Sequence, residues 1–340
     1  MSVSQSSIAR RLSISRTAVS HVLNGRDHMV GPETRKRILE AVEASGYQRN
    51  ALVRALRTNR THVVGIIVPE EGTSFFTEIT NAAEREAQKH GLQCFLCQTH
   101  SDPDALAKQI NTLREYRTDG ILVAPSNDEV GKSIFSDLQH HEMPFVLIDS
   151  PVNGVNAAFV ATENVIAGRL GIEHLLSLGH KRIACVRGYE QTWASRYRFE
   201  GYRTALEKGG IPLDEALIIP GGFEFEAGRE AVEHLLKKKV HFTAVVAASD
   251  QAAMGVIQQL AKHGLQVPRD VSVVGCGNLN IAQMATPALT TVDQKPAEVG
   301  QRAMQLLIQQ IESKKMSAKK VLIEPSMIVR ESTCPPRKRA

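Results

Sequence analysis

Four polar side chains near the start of the chain have the types and the spacing needed to contact nucleic acid. Arg16, Thr17, Ser20 and His21 stand at positions i, i+1, i+4 and i+5, which places them on one face of a helix. Such a face offers several hydrogen-bond donors and acceptors, and the DNA major groove accepts a helix that carries them. The same spacing fits a small helical bundle with a solvated polar face, so spacing alone leaves both interpretations open.

The helix that carries these side chains is predicted to pack against two others. Ser4 can cap the first helix and Ser15 the second. A third helix should begin at Pro32 and end at Gly46. The apolar positions expected to form the core of this three-helix domain are Ile8, Ala9, Leu12, Ala18, Val19, Val22, Leu23, Ile38, Leu39 and Val42.

The positive charge of the chain is concentrated at this end. The whole chain has a net charge of +5, with 41 Lys and Arg against 36 Asp and Glu. Residues 1–60 hold 11 basic and 4 acidic side chains, a net charge of +7, whereas residues 61–340 carry a net charge of −2. A basic module on a near-neutral body is typical of a protein that binds a polyanion at one end. The asymmetry therefore favours DNA binding over a bundle with a solvated face.

Length and composition limit the class of protein. A chain of 340 residues with 42% hydrophobic residues is long enough for two or three domains with sizeable cores. No stretch is apolar enough to span a bilayer, and the N-terminus lacks the apolar region of a secretory signal. We therefore expect a cytoplasmic protein without a membrane partner.

The five cysteines are an odd number and are scattered along the chain. Cys94 and Cys97 form a Cys-x-x-Cys pattern, but they lie in an apolar run that predicts a strand. Residues three apart in a strand point to opposite faces, so this pair cannot hold one metal ion. We expect buried free thiols, and neither a metal site nor a cofactor.

From Val63 onward the pattern changes to strands that alternate with helices. The run VVGIIVP is typical of a strand buried in a parallel sheet, and the alternation restarts at Asn164. We expect an α/β core of two lobes, each a doubly wound parallel sheet, with a ligand-binding cleft where their strand ends face each other. The predicted helices of the core are 75–90, 103–116, 129–139, 164–178, 195–208, 228–237, 251–263 and 296–311.

Two other functions can be compared with DNA binding. A nucleotide-dependent enzyme is suggested by Gly275 and Gly277, which follow a predicted strand, with Asp293 further on. However, Asn280 stands at the third glycine position, no helix is predicted to open there, and Walker A, HExxH and GxSxG motifs are absent from the sequence. A solute-binding protein with the same core would need an export signal and would have no use for a basic head. We therefore expect a protein that is not an enzyme.

Several motifs, in the expected order, make the chain resemble the lactose-repressor (LacI/GalR) family of transcription factors as far as about Arg330. They are IARRLSISRTAVSHVLNG, ETRKRILEAVEASGYQRNALVRALR, LGHKRIACVRG, RFEGYRTAL, SDQAAMGV and PALTTVDQ. The resemblance implies a helix-turn-helix head, a hinge helix and a core similar to periplasmic sugar-binding proteins, whose lobes are crossed by three strands. The implied segments are the head at 1–48, the hinge at 49–60, the core at 61–330 (lobe one about 61–160 and 292–322, lobe two about 161–291 and 323–330) and a disordered basic tail at 331–340.

For DNA binding, the resemblance assigns base contacts to Arg16, Thr17 and His21. Arg16 can donate to guanine O6 and N7, Thr17 can contact a thymine methyl group, and His21 can donate to guanine or phosphate. Leu56 falls at the hinge leucine that wedges into the minor groove, on a short helix that Asn50 can cap. The expected DNA-contacting residues are Ser15, Arg16, Thr17, Ser20, His21, Asn24, Asn50, Arg54, Leu56 and Arg57.

For the cleft, the resemblance implies a ligand of the sugar or polar-ring class, held between aromatic faces and hydrogen-bonding charged groups. The chain departs from the family pattern at two places. Gly277 stands where the family usually has an Asp, and Asn278 can take the place of that missing carboxylate. The segment EEGTSFF lacks the Asn-Pro that usually precedes the aromatic residues. Trp193 is expected in a loop at the mouth of the cleft. The expected effector contacts are Phe75, Phe76, Asp149, Trp193, Arg198, Phe223, Ser249, Asp250, Asn278 and Gln294.

The sequence therefore predicts a transcriptional repressor that binds double-stranded DNA and has no catalytic residues. The resemblance implies that it acts as a homodimer on a near-palindromic operator. A small-molecule effector bound between the lobes is expected to control the affinity for DNA.

Overall fold

The computed structural model describes residues 4–23, 25–47, 60–69 and 74–337, in two compact units, Met1–Thr61 and His62–Ala340. The predicted hinge helix lies outside the described residues. So do five of the expected DNA contacts, namely Asn24, Asn50, Arg54, Leu56 and Arg57. None of the helices in the described ranges has both the length and the apolar character needed to cross a membrane.

The N-terminal unit contains the three predicted helices. They are α1 (Gln5–Leu12), α2 (Arg16–Leu23) and α3 (Pro32–Ser45), and one 3₁₀ turn at Asp27–Met29 precedes α3. Ser4 caps α1 in a reciprocal pair with Ser7, in which each hydroxyl accepts from the other backbone N–H, at 3.1 and 2.9 Å.

The core of the head differs from the prediction on one face of α3. Ile38 and Ala41 are buried against α1 and α2, whereas Leu39, expected inside, is 42% exposed. Residues three apart share a helix face, so Ala41 lies beside Ile38 and Leu39 turns towards solvent. The side chains that form this core are Ile8, Ala9, Val19, Val22, Ile38 and Ala41.

The first lobe of the C-terminal unit is a parallel six-stranded sheet with helices on both faces. Its elements are β1 (Val63–Val68), α4 (Ser74–Lys89), β2 (Gln93–Gln98), α5 (Pro103–Glu115), β3 (Gly120–Val123), α6 (Lys132–His140), β4 (Phe145–Ile148), β5 (Ala158–Thr162), α12 (Pro296–Ser313) and β11 (Lys320–Ile323). The strand order is β11–β5–β4–β3–β1–β2, and α4 and α12 cover one face while α5 and α6 cover the other.

The second lobe repeats this architecture. Its strand order is β12–β10–β9–β8–β6–β7, with β12 antiparallel to β10 and the other pairs parallel. Helices α7 and α8 cover one face and α9 and α10 the other. Its elements are α7 (Asn164–Ser177), β6 (Ile183–Val186), α8 (Trp193–Lys208), a 3₁₀ turn (Glu215–Leu217), β7 (Ile218–Ile219), α9 (Phe225–Lys237), β8 (Ala244–Ala247), α10 (Asp250–Lys262), β9 (Ser272–Gly277), α11 (Asn280–Met284), β10 (Thr290–Asp293) and β12 (Ser326–Ile328).

The chain crosses between the two sheets at slightly different residues from those expected. Ala161 and Thr162 pair within the first sheet, Val292 and Asp293 within the second, and Ile323 within the first. Each was expected in the other lobe. Strand pairing fixes these positions, because a strand leaves its sheet only after its last paired residue.

Three local elements differ from the prediction. Strand β5 was not predicted, and Trp193 is the first residue of α8 rather than part of a loop. The short helix α11 opens directly after β9, where no helix was expected. The absence of a helix was therefore a wrong argument against a dinucleotide site, although the third glycine is still missing.

Cys94 and Cys97 lie on β2, the edge strand of the first sheet, and are half-buried rather than buried. Cys94 packs towards α4 and α12 and Cys97 towards α5 and α6, so the two thiols point to opposite faces, as expected. Burial raises the pKa of the Cys94 thiol to about 11 and that of Cys97 above its usual range. Both are free thiols.

The C-terminal segment is packed against the second lobe and is not a disordered tail up to residue 337. Ser332 is fully buried, and its hydroxyl donates to the Val273 carbonyl at 2.6 Å. The Cys334 N–H donates to Ser272 Oγ at 3.0 Å. The composition of this segment suggested a solvated basic tail. Instead, its backbone and hydroxyl groups form hydrogen bonds with the second lobe, as those of an added strand would.

A buried imidazole, that of His180, holds this segment. Its Nε2–H donates to the Cys334 carbonyl at 2.8 Å, while Nδ1 lies 2.9 Å from Thr243 Oγ1. Burial lowers the pKa of His180 below its ordinary value of 6.5. The folded state therefore holds this imidazole neutral.

We predict that part of the stability is lost on acidification because of His180. Below about pH 6.5 the unfolded chain binds a proton that the folded chain resists, so the free energy of unfolding falls by up to about 1.4 kcal/mol per pH unit. Urea unfolding from about pH 7.5 to about pH 5.5 should show a shallower fall for His180→Gln than for the wild type. His90→Gln, an exposed control, should keep the wild-type slope. Equal slopes for the wild type and His180→Gln would contradict this assignment.

Candidate functional site

The carboxyl ends of the strands in both sheets face a common cleft within the C-terminal unit. The cleft encloses a cavity of about 160 Å³. Its wall includes residues close after the carboxyl ends of β1, β3 and β4 in the first lobe and of β6, β8 and β10 in the second, as expected for parallel α/β sheets. The lining residues are Pro69, Phe75, Phe76, Ser101, Pro125, Ser126, Asp149, Ser150, Tyr189, Thr192, Trp193, Ala194, Arg198, Phe223, Glu224, Ser249, Gln251, Cys276, Gly277, Leu279 and Gln294.

Aromatic rings from both lobes form much of this wall. Phe75 and Phe76 meet edge to face at the start of α4, with ring centroids 5.3 Å apart. In the second lobe Tyr189 and Phe223 form a similar pair at 5.9 Å. Such rings offer flat apolar faces to one side of a ring-shaped ligand.

Trp193 connects the two lobes at the wall of the cleft. Its indole meets Phe159 of β5 edge to face, with ring centroids 5.4 Å apart. Trp193 belongs to the second lobe, yet it packs against the apolar core of the first. It is therefore both a wall of the cavity and a contact between the lobes.

The position of Arg198 is set by a close approach of α7 and α8. A Cβ atom on Gly168 would lie 1.9 Å from the Arg198 carbonyl oxygen, and one on Gly201 would lie 2.1 Å from that of Val165. Only glycine allows two helix backbones to come this close. The approach places the Arg198 side chain at the cleft.

The Arg198 guanidinium joins three segments of the chain. Its Nε donates to Asn164 Oδ1 at 2.8 Å, Nη1 to the Ala248 carbonyl at 2.7 Å, and Nη2 to Gln294 Oε1. Its central carbon also lies 5.9 Å from the centre of the Phe223 ring. These bonds hold the guanidinium rigid at the cavity wall and use three of its five N–H groups.

Asp149 brings a carboxylate into the same cavity, and one of its oxygens has no donor among the described residues. Its Oδ1 is sealed from solvent and has no hydrogen-bond partner among the described residues. Burial raises the pKa of Asp149 above its usual range, and the nearby Arg198 opposes that rise. A sealed carboxylate oxygen of this kind is stabilised when a ligand supplies the missing donor.

Most of the expected effector residues meet at this cavity, but two do not. Phe75, Phe76, Asp149, Trp193, Arg198, Phe223, Ser249 and Gln294 line it. The Ser249 hydroxyl also caps α10, where it accepts from Ala252 N at 3.0 Å, and it donates to the Phe223 carbonyl.

Asp250 and Asn278 have structural partners instead. Asp250 is fully buried, accepts from Leu279 N at 2.7 Å and from Thr291 Oγ1, and burial raises its pKa to about 6. Asn278 Oδ1 accepts from Arg330 Nη2 at 2.6 Å. Neither side chain lines the cavity, so Asn278 does not replace the carboxylate that is missing at Gly277.

Sequence reasoning missed several lining residues, among them Tyr189, Thr192, Ser150 and Gln251. The signal that could have found them is their place in the chain, because each lies within a few residues of a strand's carboxyl end or of a residue that was predicted. Among the described residues, no group of three His, Cys, Asp or Glu side chains is placed to hold a metal ion.

The head presents the predicted polar face on α2. Arg16 and Thr17 are exposed, while Ser20 and His21 are partly buried. The Ser15 hydroxyl accepts from Ala18 N at 3.1 Å and so caps the helix. The bonds of this cap and the burial of Val19 and Val22 fix which side of α2 faces solvent.

Comparisons with known families match both parts of the chain. Residues 6–50 match the model of bacterial regulatory proteins of the lacI family. Residues 61–331 match the model of periplasmic binding proteins and the sugar-binding domain of the LacI family.

Curated relatives match over nearly their full length. The HTH-type transcriptional repressor PurR of Mannheimia succiniciproducens is 32% identical, over 96% of this chain and 97% of its own. The ribose operon repressor of Escherichia coli is 30% identical, over 96% of this chain and 98% of its own.

Solved structures agree with this assignment. The lac repressor dimer bound to operator and the anti-inducer ONPF has the same fold, with a TM-score of 0.89 at 23% identity, over 98% of this chain and 100% of that one. The CelR–cellobiose complex has a TM-score of 0.75 at 28% identity, over 97% and 99% of the two chains. The predicted fold class and the prediction of a regulator rather than an enzyme are confirmed by these matches. The chain belongs to the LacI family of DNA-binding transcriptional repressors.

Proposed function

We propose that this repressor binds a near-palindromic operator as a homodimer in the cytoplasm, and that a sugar or sugar derivative bound in the cleft changes its affinity for DNA. The observation that carries the proposal is the presence, in one chain, of an exposed Arg16 and Thr17 on α2 and of a cavity in which the sealed Oδ1 of Asp149 has no donor among the described residues. Arg16 and Thr17 can hydrogen-bond to the edges of bases, and the cavity can accept hydrogen bonds from a ligand rich in hydroxyl groups.

Three features of the cavity support a sugar-class ligand. The Asp149 carboxylate needs donors, and hydroxyl groups supply them. Arg198 is held rigid and can donate to ring or hydroxyl oxygens. The aromatic walls can stack on the apolar face of a sugar ring.

On DNA, we propose that two heads enter successive major grooves and that paired hinge helices insert Leu56 into the minor groove between them. Arg54 and Arg57 would contribute to the same groove, and Asn24 and Asn50 to the edges of the interface. These five residues lie outside the described ranges, so this part rests on the family resemblance and on the sequence.

The proposal is tested by selecting bound sequences from a pool of random duplex DNA with the full-length protein at low ionic strength. We expect enrichment of a sequence with inverted half-sites, because a twofold dimer presents two identical recognition helices. Recovery of no preferred sequence would contradict the proposed function.

We predict that Arg16→Ala weakens binding to the selected sequence by about 5- to 150-fold and relaxes the preference at one base pair of each half-site. The loss of a forked contact to guanine is the physical reason. Repeating the selection and measuring affinity by fluorescence anisotropy checks both effects. Lys36→Ala, an exposed control on α3, should keep the preferred sequence. An unchanged preference for Arg16→Ala would remove this residue from base recognition.

We predict that Asp149→Asn weakens sugar binding by about tenfold or more, because the amide keeps the shape of the side chain but replaces a strong acceptor oxygen. Calorimetric titration with cellobiose and D-ribose, followed by a wider panel of neutral sugars, measures the effect. Asp104→Asn, an exposed control at the start of α5, should leave the affinity unchanged. Equal affinity of the wild type and Asp149→Asn for the sugar that binds would contradict the role of Asp149.

Exposed apolar side chains in both lobes support the homodimer. Phe95 and Leu96 are more than 40% exposed on β2, the edge strand of the first sheet, and Met284 is 82% exposed on α11 in the second lobe. An uncovered apolar edge strand promotes aggregation, so a stable protein covers it. We propose that a second copy of the chain covers this surface, which agrees with the proposed homodimer.

We predict that Leu96→Lys and Met284→Lys each weaken the dimer by about tenfold or more, because each removes apolar burial and places a charge in the interface. Sedimentation equilibrium measures the change. Leu213→Lys, at an exposed apolar position in a loop of the second lobe, is the control and should keep the dimer constant. A dimer that withstands both substitutions would contradict the proposed interface.

A further inference from the structure

An ion pair joins the two lobes beside the cleft. The Arg196 guanidinium on α8 of the second lobe donates to the Asp128 carboxylate, which lies in the first lobe between β3 and α6. The Asp128 side chain is 10% exposed and that of Arg196 37% exposed. By comparison, the pairs Arg114–Asp137 and Arg182–Asp214 each lie inside one lobe.

Each partner is fixed to its own lobe by further hydrogen bonds. In the first lobe, Asn153 N donates to the Asp128 carbonyl at 2.7 Å, and Asn153 Nδ2 lies 3.5 Å from Asp128 Oδ2. In the second lobe, Arg196 Nη1 donates to the Gln191 carbonyl at 3.0 Å. Separation of the lobes must therefore break the pair, because neither side chain can follow the other without losing these bonds.

The pair acts on the cleft without occupying it. Neither Asp128 nor Arg196 lines the cavity, but Arg196 shares α8 with Trp193 and Arg198, which do. Trp193 meets Phe159 of the first lobe across the same boundary. The ion pair and this ring contact therefore hold the two walls of the cavity together.

We propose that Asp128 and Arg196 form a latch between the lobes, which stabilises the closed cleft in the free protein and positions the two walls for ligand capture. This proposal rests on the proposed function only for the identity of the ligand that the cleft binds. Its effect on closure can be measured without any ligand, so a failed search for an effector and a failed latch give different results.

The energy of such a pair makes its effect measurable. A partly exposed ion pair shifts an equilibrium by about 1.5- to 5-fold, so its loss should enlarge the open population by a factor in that range. Salt weakens it as well, since the screening length falls from about 10 Å at 0.1 M to about 3 Å at 1 M.

The chain contains a single tryptophan, Trp193, which reports on closure directly. We expect acrylamide to quench Trp193 emission more strongly in Asp128→Asn than in the wild type, by about twofold in the quenching constant at 0.1 M NaCl. The amide is nearly isosteric with the carboxylate, and Arg196 keeps its bond to Gln191. Raising NaCl to about 1 M should increase quenching of the wild type towards the level of the variant and change the variant little.

Matched variants separate the latch from general destabilisation. Arg203→Gln removes an exposed arginine from the same helix, and Arg114→Gln breaks an ion pair inside the first lobe; both should quench like the wild type. Arg196→Gln should reproduce Asp128→Asn, and the charge exchange Asp128→Arg with Arg196→Asp should return quenching towards the wild-type value. Wild-type quenching in Asp128→Asn at low salt would overturn the latch. So would an increase that the two control variants share.

Discussion

The hydrogen bonds of the Arg198 guanidinium tie together the part of the molecule on which the cleft depends. Asn164 begins the helix that follows the first crossing between the sheets, Gln294 follows the strand before the second crossing, and Ala248 follows β8 of the second lobe. The charged guanidinium donates to three neutral acceptors and so fixes these segments relative to one another. Each hydrogen bond to a charged group contributes about 1.5–3 kcal/mol to the stability of the fold. The close contact at Gly168 makes this geometry possible, because it brings the backbone of Arg198 against α7.

The cleft combines side chains that are held by hydrogen bonds within the protein with a carboxylate oxygen that lacks a hydrogen-bond donor. Asp250 is satisfied within the protein and Arg198 is held by three acceptors, whereas the sealed Oδ1 of Asp149 has no donor among the described residues. Asp250 looks like a ligand contact in the sequence, yet its carboxylate holds the turn after β9 and connects it to Thr291 of β10. The two carboxylates therefore differ: Asp250 maintains the cavity wall, and Asp149 is the carboxylate that we propose contacts the ligand.

Much of the fold and part of the site could be predicted from the sequence, and the failures have physical causes. Apolar runs such as 63–68 and the periodic helices determine the two sheets, since buried parallel strands and amphipathic helices have distinct patterns. Strand β5 was missed because AFVAT is short and becomes a strand only through pairing with β4 and β11. The roles of Asp250 and Ser332 could not be predicted because their partners are distant: Thr291 is 41 residues from Asp250, and Val273 is 59 residues from Ser332.

The central claim is that ligand binding in the cleft is coupled to DNA binding by the head, and one titration tests it most directly. A sugar that binds the cleft is added to the full-length protein on its selected duplex, while Trp193 emission and the affinity for DNA are followed together. The account predicts that both signals change with the same midpoint, and that the duplex changes the sugar affinity by the same factor by which the sugar changes the DNA affinity, because two coupled sites share one coupling free energy. A sugar that saturates the Trp193 signal and leaves the affinity for DNA unchanged would contradict the account.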